Sequence, residues 1–290
     1  MKLVKPALLS VLLLFVGTTA QAQDTEFNLD ETYQIDESGT VYLDSDDAEV
    51  TIEASDRSDV HVLIYHSVDV DGWELKSGDE FKMDVETRGG NLYVKEANSG
   101  GNRLLFGNVE EEYRITLEVP KTVALDIKGD DGTYDITDIG AALRIDADDT
   151  EVEIRGATGN SFEFNIDDGS VEMDRGQGEL TMDMDDGEFR VRQASFREID
   201  GDFDDGEMDI TTSLADDGFY LFDMDDGELE LNISGGGGEF DINHDDGDIR
   251  VGSSFEEIIK EEEHSLYRLP GGDATIEIDS DDGDIDLRTI

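Results

Sequence analysis

Paired carboxylates stand at regular intervals along this chain, and a glycine closes nearly every pair. Asp-Asp-Gly occurs at residues 130–132, 167–169, 185–187, 204–206, 225–227, 245–247 and 281–283, and the variant Asp148-Asp149-Thr150 fills the early gap. Such pairs could do three kinds of chemistry. They could hold a hard cation such as Ca2+, which favours carboxylate and backbone oxygens. One carboxyl of a pair could carry a proton for acid–base catalysis, provided a singular environment raises its pKa. Or they could simply turn the chain, since Asp bonds locally to the backbone and Gly supplies positive φ.

The spacing of the pairs shows what must position them. The steps from one to the next are 18, 19, 18, 19, 21 and 20 residues, then 36, which reads as two coils of 18. A fixed period in this range marks a repeat architecture. Between the turns, apolar residues alternate with polar ones: Phe162, Phe164, Ile166, then Val171 and Met173; Leu180, Met182, Met184, then Phe189 and Val191; Phe222, Met224, then Leu229 and Leu231; Ile276, Ile278, then Ile285 and Leu287. That is the period of a strand buried on one face, and no stretch of the repeat has the 3.6-residue period of a leucine-rich helix. The expected fold is all-β, a right-handed parallel β-helix with rungs of about 18–20 residues.

In such a solenoid, equivalent outward residues lie ~4.8 Å apart. Two unit charges at that distance repel by roughly 0.9 kcal/mol in water and roughly 3.5 kcal/mol at an effective dielectric of 20. The ladder therefore needs salt, protonation or bound cations. The candidate Ca2+ ligands are Asp167, Asp168, Asp185, Asp186, Asp204, Asp205, Asp225, Asp226, Asp245 and Asp246. Ca2+ is the one candidate cofactor. The Gly-Gly-x-Gly-x-Asp nonapeptide of calcium β-rolls is absent, so solvated turns are the preferred reading and a row of weak Ca2+ sites the alternative. No catalytic pair stands apart from so many equivalents, and no enzyme is expected. A carbohydrate-active enzyme on a β-helix is the alternative from another class.

The histidines add little. His61 and His66 stand five apart near a strand end, and His244 takes the inward slot held by Ile166, Met184, Phe203 and Met224 in other rungs. A satisfied core or near-turn histidine is the preferred reading.

Residues 1–22 read as a secretory signal: Lys2 and Lys5, an apolar run from Ala7 to Val16, and Ala20-Gln21-Ala22 as the cleavage site. The apolar run is too short to span ~30 Å of hydrocarbon. The chain from Gln23 is expected in the periplasm, at the cell surface or outside the cell. There is no cysteine, hence no disulfide framework, and the net charge of −55 becomes about −57 once Lys2 and Lys5 leave. That charge argues against nucleic acid and anionic lipid surfaces as partners, since both want a basic footprint. Disorder, the usual consequence of such acidity, is countered by 37% hydrophobic residues placed in strict alternation.

Residues 23–124 form a less regular strand-rich part and 125–290 the regular rungs, with no Pro/Ser linker between them. Asp46-Asp47-Ala48 looks like a degenerate turn, and Pro120 closes a strand just before the regular rungs. Long loops are expected near Asp71-Gly72-Trp73 and over Asn98–Asn108. The second contains Leu104, Leu105 and Phe106, either a plug over the open end of the solenoid or a binding tip. Near 253–264 a short helical insertion is expected: Ser254 and Glu257 make a capping box, and Phe255, Ile258 and Ile259 share one helical face.

The signal, the early Ser38-Gly39 turn, the segment Tyr113-x-Ile115-x-Leu117-x-Val119-Pro120-Lys121 and the alternating rungs over 27–290 together resemble the bacterial DUF4097 family, provisionally described as adhesins with a β-strand repeat. The resemblance implies a right-handed β-helix outside the cytoplasm and carries over no catalytic residue. The doubled Asp of the turns departs from the family's pattern. The expected function is that of a secreted, non-catalytic surface or envelope interaction protein in the manner of an adhesin, recognising a surface, glycan or protein. The alternatives are a calcium-binding scaffold and the enzyme.

Overall fold

Residues that alternate in the sequence alternate in burial. The computed structural model describes residues 25–77, 81–97 and 102–290, and the signal at 1–22 and the start at Gln23 lie outside them. All regular structure there is β-strand. Along Phe162–Ile166 and Leu180–Met184 every second side chain is buried and its neighbours face outward. The apolar ones fill a single core, in which Phe164 packs edge-on to Phe189 at 5.5 Å and Phe162 to Phe196 at 6.3 Å.

The N-terminal part holds β1 (Thr25–Gln34), β2 (Thr40–Asp44), β3 (Glu49–Ser55), β4 (Asp59–Ser77), β5 (Met83–Arg88), β6 (Asn91–Glu96) and β7 (Asn102–Pro120). The regular coils follow as β8 (Ala124–Gly129), β9 (Gly132–Thr137), β10 (Leu143–Arg155), β11 (Ser161–Asp174), β12 (Gln177–Ser213), β13 (Phe219–Met224) and β14 (Glu228–Gly235). Coil pairs with coil in parallel: β2 with β8, β8 with β10, β10 with β11, and β11 with β12. From β8 onward these paired residues lie 18 or 19 apart, as Ile145↔Phe164 and Phe164↔Met182. The architecture is solenoid-like, one large mixed sheet whose parallel body matches the expected rungs.

The glycine of most turns is required by its neighbour. Gly227 has φ +138°, and a Cβ there would lie 2.6 Å from the carbonyl oxygen of Gly206; on Gly206 it would lie 2.8 Å from that of Gly187. Turn stacks on turn too closely for a side chain. Thr150 replaces glycine in one coil, and its hydroxyl donates to Gly132 O at 2.8 Å.

Both ends depart from sequence order. After β14 the chain forms β15 (Gly238–His244), β16 (Ile249–Val251), β17 (Glu256–Lys260), β18 (His264–Leu269), β19 (Ala274–Ser280) and β20 (Asp284–Thr289). β13 and β14 do not pair with β15 and β16. They pair with β19 and β20, which pair with β15 and β16 on their other side. The last coil of the sequence is thus the penultimate coil in space. The 36-residue step is one coil and an excursion rather than two coils.

That excursion is not helical. β17 pairs antiparallel with β18, and β18 with β15. The free edge of β15 offers a ladder of backbone bonds, and Ile258 and Ile259 suit a strand better than a helix. Ser254 gives its hydroxyl to a bond with Thr289 Oγ1 at 2.9 Å instead of capping, and Phe255 packs edge-on to Phe240 at 5.1 Å.

At the opposite end β2 and β3 sit between β8/β9 and β6/β7, all parallel, while β4 adds antiparallel to β7 and β1 to β4. The long loops expected near Asp71–Trp73 and Asn98–Asn108 are largely strand: β4 and β7 pair continuously from His61↔Glu118 to Ser77↔Asn102. Their Gly and Asn residues face one another across the ribbon, as Gly72↔Gly107 and Asp71↔Asn108, and this pairing replaces the turns that their types suggest. Residues 98–101 lie outside the described segments. The end of the core is closed by an aromatic cluster in which Phe81 stacks on His66 at 3.8 Å and meets Tyr113 at 4.9 Å and Phe27 at 5.5 Å.

Candidate functional site

The turns stack into two files of carboxylates that run the length of the solenoid. In spatial order the first holds Asp46, Asp130, Asp148, Asp167, Asp185, Asp204, Asp225, Asp281 and Asp245, and the second the Asp that follows each of these. All are exposed. Backbone bonds fix the order where it departs from the sequence: Asp282 N–H donates to Asp225 O at 2.8 Å, and Asp246 N–H to Asp281 O at 2.9 Å. The candidate ligands Asp167, Asp168, Asp185, Asp186, Asp204, Asp205, Asp225 and Asp226 stand in these files in sequence order, and Asp245 and Asp246 form the terminal turn.

Lost hydration and crowding shift the titration of several of them. The Asp168 carboxyl is pushed above the ordinary Asp value by loss of hydration and then by Asp149 and Asp186; Asp204 likewise by loss of hydration, Asp225 and Asp185; Asp282 by loss of hydration, Asp226 and Asp246. A third acidic file stands two residues earlier. Asp202 and Asp223 there are also raised, by burial first and then by neighbours such as Asp183 and Asp279. Cations interrupt this file towards the N-terminus. Burial would raise Asp146, but Lys128, 3.1 Å away, and Arg144 outweigh it and hold the carboxyl below its usual value. Among the described residues no three His, Cys, Asp or Glu side chains converge as a metal-binding group.

The histidines do not form a pair. An odd separation on one strand puts His61 and His66 on opposite faces. His66 is buried with Nε2 2.8 Å from Glu111, whereas outward His61 lies 2.8 Å from Asp30, whose hydrogen bond raises its pKa. His244 is half-buried, paired in register with Ser280, which in turn pairs with Met224, so it does occupy the inward slot.

One cleft, of about 1000 Å³, lies along the outer face where β5 and β6 meet β2 and β8. Adjacent strands bring Tyr42 and Tyr93 into register, and their rings stack at 4.7 Å with planes 8° apart. The Arg88 guanidinium sits over Tyr93 at 4.5 Å from the ring centre. Its hydrogen bond, then that of Asn91, lowers the Tyr93 pKa. Lys95 pairs with Asp44, and Lys128, Asp84, Glu86 and Asp126 complete the polar lining around Met83 and Val85. A stacked pair of aromatic rings beside both signs of charge distinguishes this site from the files of carboxylates. Sequence reading passed over it. The available signal was a tyrosine at two outward strand positions where the next coils carry Asp126, Arg144, Glu163 and Thr181, and their adjacency appears only when β6 is placed beside β2.

Leu104, Leu105 and Phe106, the expected plug or tip, stand in strand β7 opposite Leu75, Glu74 and Trp73.

The family model described as Toastrack DUF4097 matches residues 40–288. No curated protein matches the chain. Among solved structures, a Bacteroides fragilis protein provisionally described as an adhesin is 11% identical over 91% of this chain and 97% of its own, with a TM-score of 0.46. Two from Parabacteroides distasonis are each 9% identical. One, provisionally an adhesin, covers 93% of this chain and 98% of its own at a TM-score of 0.42. The other, provisionally a lipid-binding protein, covers 94% and 98% at 0.41.

Proposed function

The chain belongs to the Toastrack DUF4097 family, and from that premise we propose that it is an exported, non-catalytic interaction protein of the envelope or cell surface, an adhesin in the broad sense, that takes a glycan of its partner surface in the cleft between β5–β6 and β2–β8. The observation that carries this reading is the Tyr42–Tyr93 stack with Arg88 against it in an open, polar-rimmed cleft. Aromatic bodies supply contact area and their hydroxyls a polar handle. Convergent charged groups on an otherwise preformed site fix orientation. Asp44 is paired with Lys95, and Asp84 and Glu86 are exposed, which suits binding better than proton transfer.

In this reading the coils are right-handed, the hand that crossovers between parallel strands take. The files of Asp are a hydrated acidic surface that keeps the body soluble, and Ca2+ bound between turns is the competing view. A glycan array probed with the full chain in EDTA should show a restricted set of saccharides. Tyr93→Ala should weaken that binding at least about tenfold, the loss of ~1.4 kcal/mol, with its melting temperature unchanged. A blank array, or a variant that binds like the parent, would overturn the glycan reading. Release of reducing ends from a bound polysaccharide would establish the enzyme instead.

A further inference from the structure

The stacked tyrosines of the cleft have one covered end and one open end. Across this face the strands run in the order β5, β6, β2, β8 and β10. Rings 4.7 Å apart leave no room for a group between them. Arg88, reaching in from β5, therefore covers the face of Tyr93 that looks away from Tyr42. The second face of Tyr42 looks towards β8, where the residue in register is Asp126.

Asp126 is half-buried, and among the described residues no side-chain hydrogen bond or ion pair reaches it. The cations beside it are engaged elsewhere. Lys128, two positions along β8, lies 3.1 Å from Asp146, and Arg144, in register on β10, binds Glu163 and, at 3.5 Å, Asp146. An open aromatic face and a carboxylate without a counter-charge both attract a cation. On the opposite rim Glu86 stands in register with Tyr93, and Asp84 is exposed beside it. At ~4.8 Å per strand, Glu86 and Asp126 are about 14 Å apart with the two rings between them. The cations of the cleft make no equal case for an anion, since Arg88 lies 3.8 Å from Glu86 and Lys95 pairs with Asp44. The net charge of −55 draws cations to this mouth and repels anions.

We infer that the saccharide taken by this cleft is an amino sugar with its amine free, whose ammonium seats against Asp126 and the open face of Tyr42. This rests on the glycan reading of the cleft and adds the chemical class. The amine of such a sugar stands directly on the ring, so charge, apolar ring face and hydroxyls arrive together. They meet a carboxylate, an aromatic body and a polar rim within one or two strand spacings. A lysine ammonium, at the end of a flexible four-carbon stem, brings the charge without the rest. N-acetylation of the sugar removes the charge and with it the partner of Asp126.

The test titrates the full chain with a glucosamine tetramer and, separately, with its fully N-acetylated counterpart, at about 0.15 M salt so that loose attraction to the acidic body is screened. The glucosamine tetramer is expected to bind at least tenfold more tightly, and its binding to fade as pH rises through the titration of the sugar amine. Asp126→Asn should remove at least that tenfold with unchanged melting and leave the N-acetylated tetramer as it was. The combined variant Asp186→Asn, Asp205→Asn and Asp226→Asn, in the carboxylate files, should bind like the parent. Equal binding of the two tetramers overturns the inference. So does a loss in the triple variant but not in Asp126→Asn, which would mean a polyamine held along the files. Competition by tetralysine at equal strength overturns it too, because the site would then read charge alone. A neutral or acidic saccharide that needs Tyr93 but not Asp126 overturns this inference and leaves the glycan reading standing, whereas a cleft that binds no saccharide overturns both.

Discussion

Phe222→Asp is expected to unfold the C-terminal coils outright. Phe222 is fully buried in β13, between Gly201 of the coil before and Ile278 of the coil after it in space. Truncating a buried Phe costs about 3–5 kcal/mol on its own, and an unpaired carboxylate in its place adds several more. In a solenoid each coil is held by its neighbours. Here β13 and β14 alone join β19 and β20 to the body, and those in turn hold β15 and β16. Everything after about residue 214 should therefore lose protection together in hydrogen exchange, while residues 40–174 keep theirs. Asp223→Asn, one residue away but facing outward, should melt like the parent or slightly above it. A Phe222→Asp protein with parental melting would show that the inward positions are wrongly assigned.

The second large effect is electrostatic, and its sign is opposite to ordinary acid denaturation. Folding raises the pKa of Asp46, Asp47, Glu96, Asp148, Asp168, Asp202, Asp204, Asp223 and Asp282, in each case by loss of hydration first and by neighbouring carboxylates among the further causes. A group whose folded pKa lies above its unfolded value contributes stability that is present below the unfolded pKa and lost as pH rises through the folded one. Asp146 and Asp284, held low chiefly by Lys128 and by the Asp248 N–H respectively, act the other way and only below the ordinary carboxylate range. The raised groups outnumber them. Lowering the pH from about 6 to about 4 in dilute buffer, down to the ordinary carboxylate range and below the span in which His61 titrates, should thus raise the melting temperature. In about 1 M NaCl, where screening acts within about 3 Å, the share of that difference that comes from neighbouring carboxylates should vanish and the share from lost hydration should remain. A melting temperature that falls on acidification from about 6 to about 4 would contradict the files of mutually repelling carboxylates.

The body of this fold is legible in the sequence because its signals are local. Alternation in Phe162–Ile166 names the inward residues, and the Asp-Asp-Gly turns count the coils. The order of the coils is not local. Asp281–Gly283 fits beside Asp225–Gly227 as well as Asp245–Gly247 would, since every turn presents the same two acids and a glycine. Which coil docks is decided by the β17–β18 hairpin, which covers the free edge of β15 and leaves its other edge for β19. That same edge overrides the helix suggested by Ser254, Glu257 and the spacing of Phe255, Ile258 and Ile259. At the other end Asp71-Gly72 and Gly107-Asn108 have the composition of loops, and only long-range register shows them as opposed strand residues. The cleft was hidden for the same reason. Tyr42 and Tyr93 are 51 positions apart in the chain, and neither carries any local mark of the other.

The account turns on whether the acidic files are a hydrated surface or a bank of ion sites, and calorimetric titration of the full chain with Ca2+ at fixed ionic strength tests this most directly. The hydrated surface predicts no saturable heat and a melting temperature that follows ionic strength alone, with EDTA without effect. It also predicts that Asp186→Asn, Asp205→Asn and Asp226→Asn together stabilise the protein at low salt, because three charges leave adjacent coils while turn propensity is kept. Saturable Ca2+ binding would contradict it, if accompanied by a rise in melting temperature that EDTA reverses, that Mg2+ with its smaller octahedral demand fails to reproduce, and that the triple variant lacks.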